Sequence, residues 1–333
     1  MKESFDKQTD RRRFLRGANG VGGGLAAHSA GCLPSKDTTP EPQPAPEPKP
    51  PAATVPTPDP NALPEGLDAS KFWLHGRTPL TLETKRSSFG RGAITPIPLF
   101  FVRNNLPMPD KSIVFDPDSW MLEVVGVKEP RKVSVAEIKQ LATETIASVI
   151  QCSGNGRKFF EHGASGSQWG VGAAGCAMWT GIRVKDLIDL LGGPVEGTKY
   201  LTSTGGEELP EGVDPLTVVV ERSIPLDKAL DDAMLVWEMN GMPIPITHGG
   251  PLRLLVPGYY GCNQIKYVKR IGPTVEQTQA KIQKSGYRFR PIGEKGNPSQ
   301  PSMWRMNVKS WVNGPGADDE PVLHGKVQFY GVA

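Results

Sequence analysis

The side chains of this sequence that can do chemistry gather around one cysteine. The run Gln151, Cys152, Ser153, Gly154, Asn155, Gly156, Arg157 puts a thiol at the end of a β-type stretch, followed by two glycines, an amide and a guanidinium. Glycines allow close approach of the backbone to a ligand. A neighbouring cation favours thiolate over thiol, and thiolate is the form that binds a soft metal. The cysteines are Cys32, Cys152, Cys176 and Cys262. Their spacings fit neither a zinc site nor a C-x-x-C-H haem attachment. Four cysteines in 333 residues are also too few for a disulfide framework. Cys176 and Cys262 read as small hydrophobes of the core. Arg253 interrupts the apolar run 252–256, an odd place for a solvated charge. Asp214 before Pro215 reads either as a turn start or as a polar contact to a ligand. Tyr287, Arg288, Phe289 and Arg290 set positive charge beside a phenol, which could steer an anion inward.

The elements that must position these residues alternate between strand and helix patterns. Residues 120–127 alternate as a strand would. A helix is expected over 133–142, with Ser134 as N-cap and Glu137 three residues on. The β-type run 147–151 leads directly into Cys152. Residues 184–191 have helical period and are stopped by Gly192 and Gly193. Buried strands are expected at 199–203, 217–221 and 252–256. Long Gly- and Pro-rich loops separate these pieces, so the folded part is expected to be α+β, with function on its loops.

The N-terminal region has a different character. Residues 1–33 carry Arg11, Arg12, Arg13, Phe14, Leu15 and Arg16, followed by a weakly apolar stretch from Ala18 to Gly31. This resembles a twin-arginine export signal, which implies a periplasmic or cell-envelope location. Ser29, Ala30, Gly31 and Cys32 resemble a lipobox, leaving either a lipid anchor at Cys32 or ordinary cleavage nearby. Residues 34–64 hold twelve prolines among thirty-one positions, the composition of an extended spacer. No stretch of about 20 apolar residues is present to span a membrane. A net charge of +3 is too small to argue for nucleic acid.

The segment Gln151 to Arg157 resembles the molybdenum-binding segment of the sulfite oxidase family, and further segments recur in the family's order. They are Phe100 to Pro107, Gly166 to Trp169, Trp237 to Pro245 leading into His248 to Arg253, Val256 to Gly261 leading to Lys266, and Lys284 to Tyr287. The resemblance implies a sulfite-oxidase-type molybdopterin-binding domain over 65–300. It also implies the opening of an immunoglobulin-like dimerisation domain over 301–333, which stops short and puts the homodimer in doubt. Cys152 would ligate molybdenum of a Mo-molybdopterin cofactor. Phe101, Arg103, Asn104, Asn105, Asp214, His248, Arg253 and Lys266 would hold the pterin and its phosphate. Arg103, Arg157, Trp169 and Tyr287 would form the pocket for sulfite or a related sulfur oxyanion. Where the family often has His, this chain has Asn105. With no haem motif in the sequence, electrons would leave to an external acceptor such as cytochrome c. Sulfane-sulfur or sulfoxide chemistry of the same superfamily is the alternative, as is a non-catalytic lipoprotein that keeps the fold.

Overall fold

The computed structural model describes residues 62–315 and 324–333. They belong to one compact unit, Pro58–Ala333. The other unit, Met1–Thr57, lies outside the described residues, and with it the twin-arginine run and Cys32. No helix among the described residues is long and apolar enough to cross a membrane.

Two five-stranded sheets and one hairpin sheet carry the site. The first sheet runs in the order Met242–Pro243, Met234–Met239, Ala174–Arg183, Glu144–Gln151, with Arg253–Leu255 also pairing to Met234–Met239. Its hub is Ala174–Arg183, whose fully buried Trp179 and Ile182 pack into two different cores. Gly181 is obligatory there, because a Cβ would lie 2.0 Å from the Leu235 carbonyl oxygen of the next strand. The second sheet is mixed, in the order Arg131–Ser134, Met121–Val124, Arg270–Thr274, Tyr200–Thr204, Glu221–Pro225. Its one parallel pair joins Arg270–Thr274 to Met121–Val124. Helices Val184–Leu190 and Leu226–Asp232 share an aliphatic core with it, through Leu122, Val133, Leu187, Ile188, Leu201 and Ile271. The third sheet joins Phe72–Arg77, Leu80–Thr84 and Val102–Arg103.

Most expected elements are present. The Ser134 hydroxyl caps its helix by accepting from the Glu137 amide, but the helix covers only Val135–Ile138. Gly192 and Gly193 take positive φ and stop the helix that begins at Val184. One expectation is misplaced: residues 217–220 are not a strand. The Asp214 carboxylate accepts from the Leu216 amide and Pro215 sits in the first turn, so Pro215–Val218 is a short helix. The strand begins at Glu221. A β-branched run lost there to a cap and a proline with φ already set for helix. At the C-terminus the described residues give a two-stranded pairing of Trp311–Gly314 with Tyr330–Val332. It is held to the body by the Asn313 Nδ2 bond to the Phe89 carbonyl (3.0 Å).

Candidate active site

Cys152 extends the ladder of strand Glu144–Gln151 by one step, its amide donating to the Ala173 carbonyl at 2.9 Å. The chain then turns tightly. The Asn155 amide donates back to the Cys152 carbonyl (3.0 Å), and Asn155 Oδ1 accepts from the Ala173 amide (3.0 Å). Asn155 is therefore the side chain that locks the turn. Gly154 serves a purpose other than the one its sequence suggests. A Cβ there would lie 2.5 Å from Arg157 Nη2, and one on Gly166 would lie 2.7 Å from Arg157 Nη1. The two glycines make room for the guanidinium, and Arg157 Nη1 donates to the Ser167 carbonyl at 2.7 Å.

Behind this turn lies a partly open cavity. Of the expected residues, Phe101, Arg103, Asn104, Asn105, Cys152, His248, Arg253, Lys266 and Tyr287 line it. A broader cleft adjoins it and is lined by Arg103, Asn105, Cys152, Arg157, Trp169 and Tyr287. Arg103, Asn105, Cys152 and Tyr287 belong to both, so they form the wall where the inner cavity meets the cleft. Asp214 lines neither; it is exposed and caps its helix, the turn reading of that residue. Cys176 also lies outside both, half-buried on strand Ala174–Arg183.

The inner cavity is rich in unpaired positive charge. Lys266 Nζ donates to Asn104 Oδ1 (2.9 Å) and to the Thr247 carbonyl (2.6 Å). Arg253 Nη1 donates to the His248 carbonyl (2.6 Å), and its guanidinium lies 5.5 Å from the centre of the Trp179 ring. Among the described residues no ion pair involves Arg103, Arg157, Arg253 or Lys266. Burial, reinforced by the neighbouring cations, pushes the Lys266 ammonium well below the ordinary lysine range, and burial brings Arg253 down to about 10. His248 falls to about 3, because burial and then Lys266 and Arg253 oppose its protonation. It is a neutral imidazole at physiological pH.

At the wall of the cleft, Asn105 Oδ1 accepts from Arg103 Nη2 (2.8 Å) and from the Tyr287 hydroxyl (3.3 Å). Tyr287 has a φ of +46°, a left-handed conformation costly for an aromatic residue. The Met303 amide, donating to the Tyr287 carbonyl (2.8 Å), helps to hold it there. The buried Arg222 guanidinium lies 5.5 Å from its ring centre. Burial raises the Tyr287 phenol, which stays protonated and acts as a donor.

A sequence profile described as "Oxidoreductase molybdopterin binding domain" matches residues 106–282. The chain belongs to this family, among the sulfite-oxidase-type members. Mitochondrial sulfite oxidase of Homo sapiens is 31% identical to it over 273 residues, 78% of this chain and 48% of that protein. An NAD(P)H nitrate reductase of Hordeum vulgare is 30% identical over 244 residues, 68% of this chain and 27% of that protein. The crystal structure of the sulfane dehydrogenase SoxCD from Paracoccus pantotrophus has a TM-score of 0.64 at 23% identity. It covers 83% of this chain and 69% of that one, and shows a shared fold. The chain spans about half the length of the mammalian relatives it matches.

The cavity of this family member suits a molybdopterin. His248 Nε2, Arg253 Nε and Gln264 Oε1 are buried polar atoms without a protein partner, and all three belong to residues that line it. Such atoms call for a polar ligand. The cations suit its phosphate, and Cys152 offers a sulfur ligand to its metal. Sequence reasoning missed several lining residues. Cys262 is one, placed in the cavity wall rather than the core, with burial pushing its thiol up to about 11. Glu207 is another, a buried carboxyl that desolvation raises to about 7. Its only signal in the sequence was an acidic residue after two glycines in an irregular loop.

Proposed function

We propose that the chain oxidises sulfite to sulfate, with Cys152 ligating the molybdenum of a pterin held in the inner cavity. The observation that carries this reading is the shared wall of cavity and cleft. There Cys152 stands with Arg103, Asn105 and Tyr287, and Arg157 lines the cleft beyond. Among the cleft's lining residues, Arg103, Arg157, Lys281, Arg288, Arg290 and Lys295 face a single acid, Glu294. That imbalance favours an oxyanion.

His248, Arg253 and Lys266 would hold the pterin and its phosphate, with Asn104 orienting the Lys266 ammonium. When bound, such a group supplies two-electron oxygen-atom transfer; the protein supplies binding, orientation and electrostatics. Arg103 and Arg157 bind and orient the anion from the cleft side, and their fixed guanidinium groups stabilise charge as product forms. The protonated Tyr287 hydroxyl directs a hydrogen bond toward the wall it shares with Asn105. Buried Trp169 closes one side and limits water. Electrons would pass to an external cytochrome c. The N-terminal 33 residues would direct twin-arginine export, residues 34–64 would act as a spacer, and residues 301–333 would begin a dimerisation domain.

Turnover of sulfite, thiosulfate, methionine sulfoxide and nitrate by the molybdenum-loaded protein, with cytochrome c or a dye as electron partner, tests the reading. Sulfite should be strongly preferred. A Cys152→Ser variant should lose turnover; full activity in that variant would remove the claim.

A further inference from the structure

Trp169 is almost fully buried, and the segment bearing it is held by a residue far away in sequence. Glu83, on strand Leu80–Thr84, is 4% exposed. Its Oε2 accepts from the Gly170 amide (3.0 Å) and from His75 Nε2 (2.7 Å), and its Oε1 accepts from the Gly172 amide (3.0 Å). These bonds hold the Glu83 carboxyl below the usual glutamate range despite its burial. Both glycines are required for the approach. A Cβ on Gly170 would lie 2.6 Å from Glu83 Oε1, and one on Gly172 would lie 2.8 Å from Glu83 Cγ and still closer to the Thr84 carbonyl oxygen. The His75 ring packs against the Trp169 indole with centroids 4.8 Å apart. One carboxylate thus grips the backbone just after Trp169 and also the imidazole beside its ring. Phe101 meets the indole edge-on at 6.3 Å.

We infer that Glu83 is a positioning residue for the substrate cleft, acting through the Gly170 and Gly172 amides and through His75 to fix Trp169 as its wall. The inference rests on the cleft being the oxyanion site proposed above. A carboxylate is needed because three donors converge on two oxygens. An amide at this position replaces one oxygen with an NH2 group that cannot accept. Lys158 also lies here, its amide donating to the Trp169 carbonyl at 3.0 Å, but that bond runs through the backbone and survives a change at Glu83.

The test compares wild type, Glu83→Gln, Trp169→Phe and the double variant, all loaded with cofactor. His75→Phe is the second probe should Glu83→Gln fold poorly, since it keeps a ring beside Trp169 and removes only the Nε2 donor. The readouts are sulfate binding by calorimetry, kcat and KM for sulfite, and hydrogen exchange across residues 166–172. The expected result for Glu83→Gln is roughly three- to tenfold weaker sulfate binding and higher KM, the scale of one lost hydrogen bond, with a smaller change in kcat. Exchange across 166–172 should quicken. In the Trp169→Phe background the binding effect of Glu83→Gln should largely vanish. Unchanged exchange and binding, or an equal binding loss in both backgrounds, would overturn the inference. A wild type that binds no sulfate while Glu83→Gln still loosens 166–172 would overturn the sulfite reading and leave the positioning role standing.

Discussion

Glu207 offers a stability prediction whose sign and size follow from its surroundings. It is buried in the wall of the inner cavity, and desolvation raises its carboxyl from 4.5 to about 7, against a smaller pull from Lys266 and Lys269. The folded protein therefore holds a proton that the unfolded chain releases between these values. The stability this provides is fully present below pH 4.5 and is lost as pH rises through about 7. Roughly two and a half decades of proton affinity correspond to about 3 kcal/mol. Glu207→Gln keeps the shape of the protonated acid and cannot ionise. In cofactor-free protein the variant should match wild type near pH 4.5 and exceed its stability by up to about 3 kcal/mol at pH 8. Urea denaturation of both proteins at half-unit steps between pH 4.5 and 8 measures the difference. A flat difference across that range would mean that Glu207 is not desolvated in the folded protein.

Three other outcomes are expected. Tyr287→Phe removes the hydroxyl that donates to Asn105 Oδ1 at 3.3 Å; kcat/KM for sulfite should fall about two- to tenfold, the scale of one hydrogen bond, with molybdenum content unchanged by metal analysis. Gly154→Ala puts a Cβ 2.5 Å from Arg157 Nη2, at the end of a flexible side chain that can move away. The melting temperature should hold while KM rises toward the value for Arg157→Gln, and a KM equal to wild type would show that Arg157 does not need its seat. Leu122→Ala, in the core between sheet and helices, should cost about 2–5 kcal/mol by denaturant titration without altering KM, since Leu122 is fully buried and lines neither cavity nor cleft.

The parts of the site legible in the sequence were those carried by contiguous motifs. Cys152 stands at a strand end because the alternating run before it has to be a strand. Arg157 follows within one turn, and His248 with Arg253 brackets one short segment. What could not be read were contacts made across the fold. Glu83 precedes Gly170 and Gly172 by 87 and 89 positions and sits in a strand whose residues are all buried. Nothing in the local pattern distinguishes its carboxylate from a solvated one. Cys262 reads as a core thiol because a lone cysteine is most often a small buried hydrophobe; only the path of residues 261–266 past strand Glu144–Gln151 turns it toward the cavity. The misplaced strand at 217–221 failed for a local reason. Val218, Val219 and Val220 have strand propensity, but Asp214 and Pro215 had already committed the preceding turn to helix.

Charge is the feature that most constrains how this domain works. A cavity holding Arg253 and Lys266 without an acidic ion-pair partner is costly, since each desolvated charge loses several kcal/mol of hydration. The directions of the shifts show how the fold limits that cost: Lys266 gives up its proton more readily, His248 stays neutral, and Glu207 holds its proton up to about pH 7. The site is thus not arranged to neutralise itself. Glu207 is near enough to be felt by Lys266, but ionising both would cost each of them its hydration. Below about pH 7 desolvation keeps the Glu207 carboxyl protonated, so it does not compete with an incoming dianion for Arg253 and Lys266. An anionic ligand favours the charged form of Lys266, so its binding stabilises the folded domain.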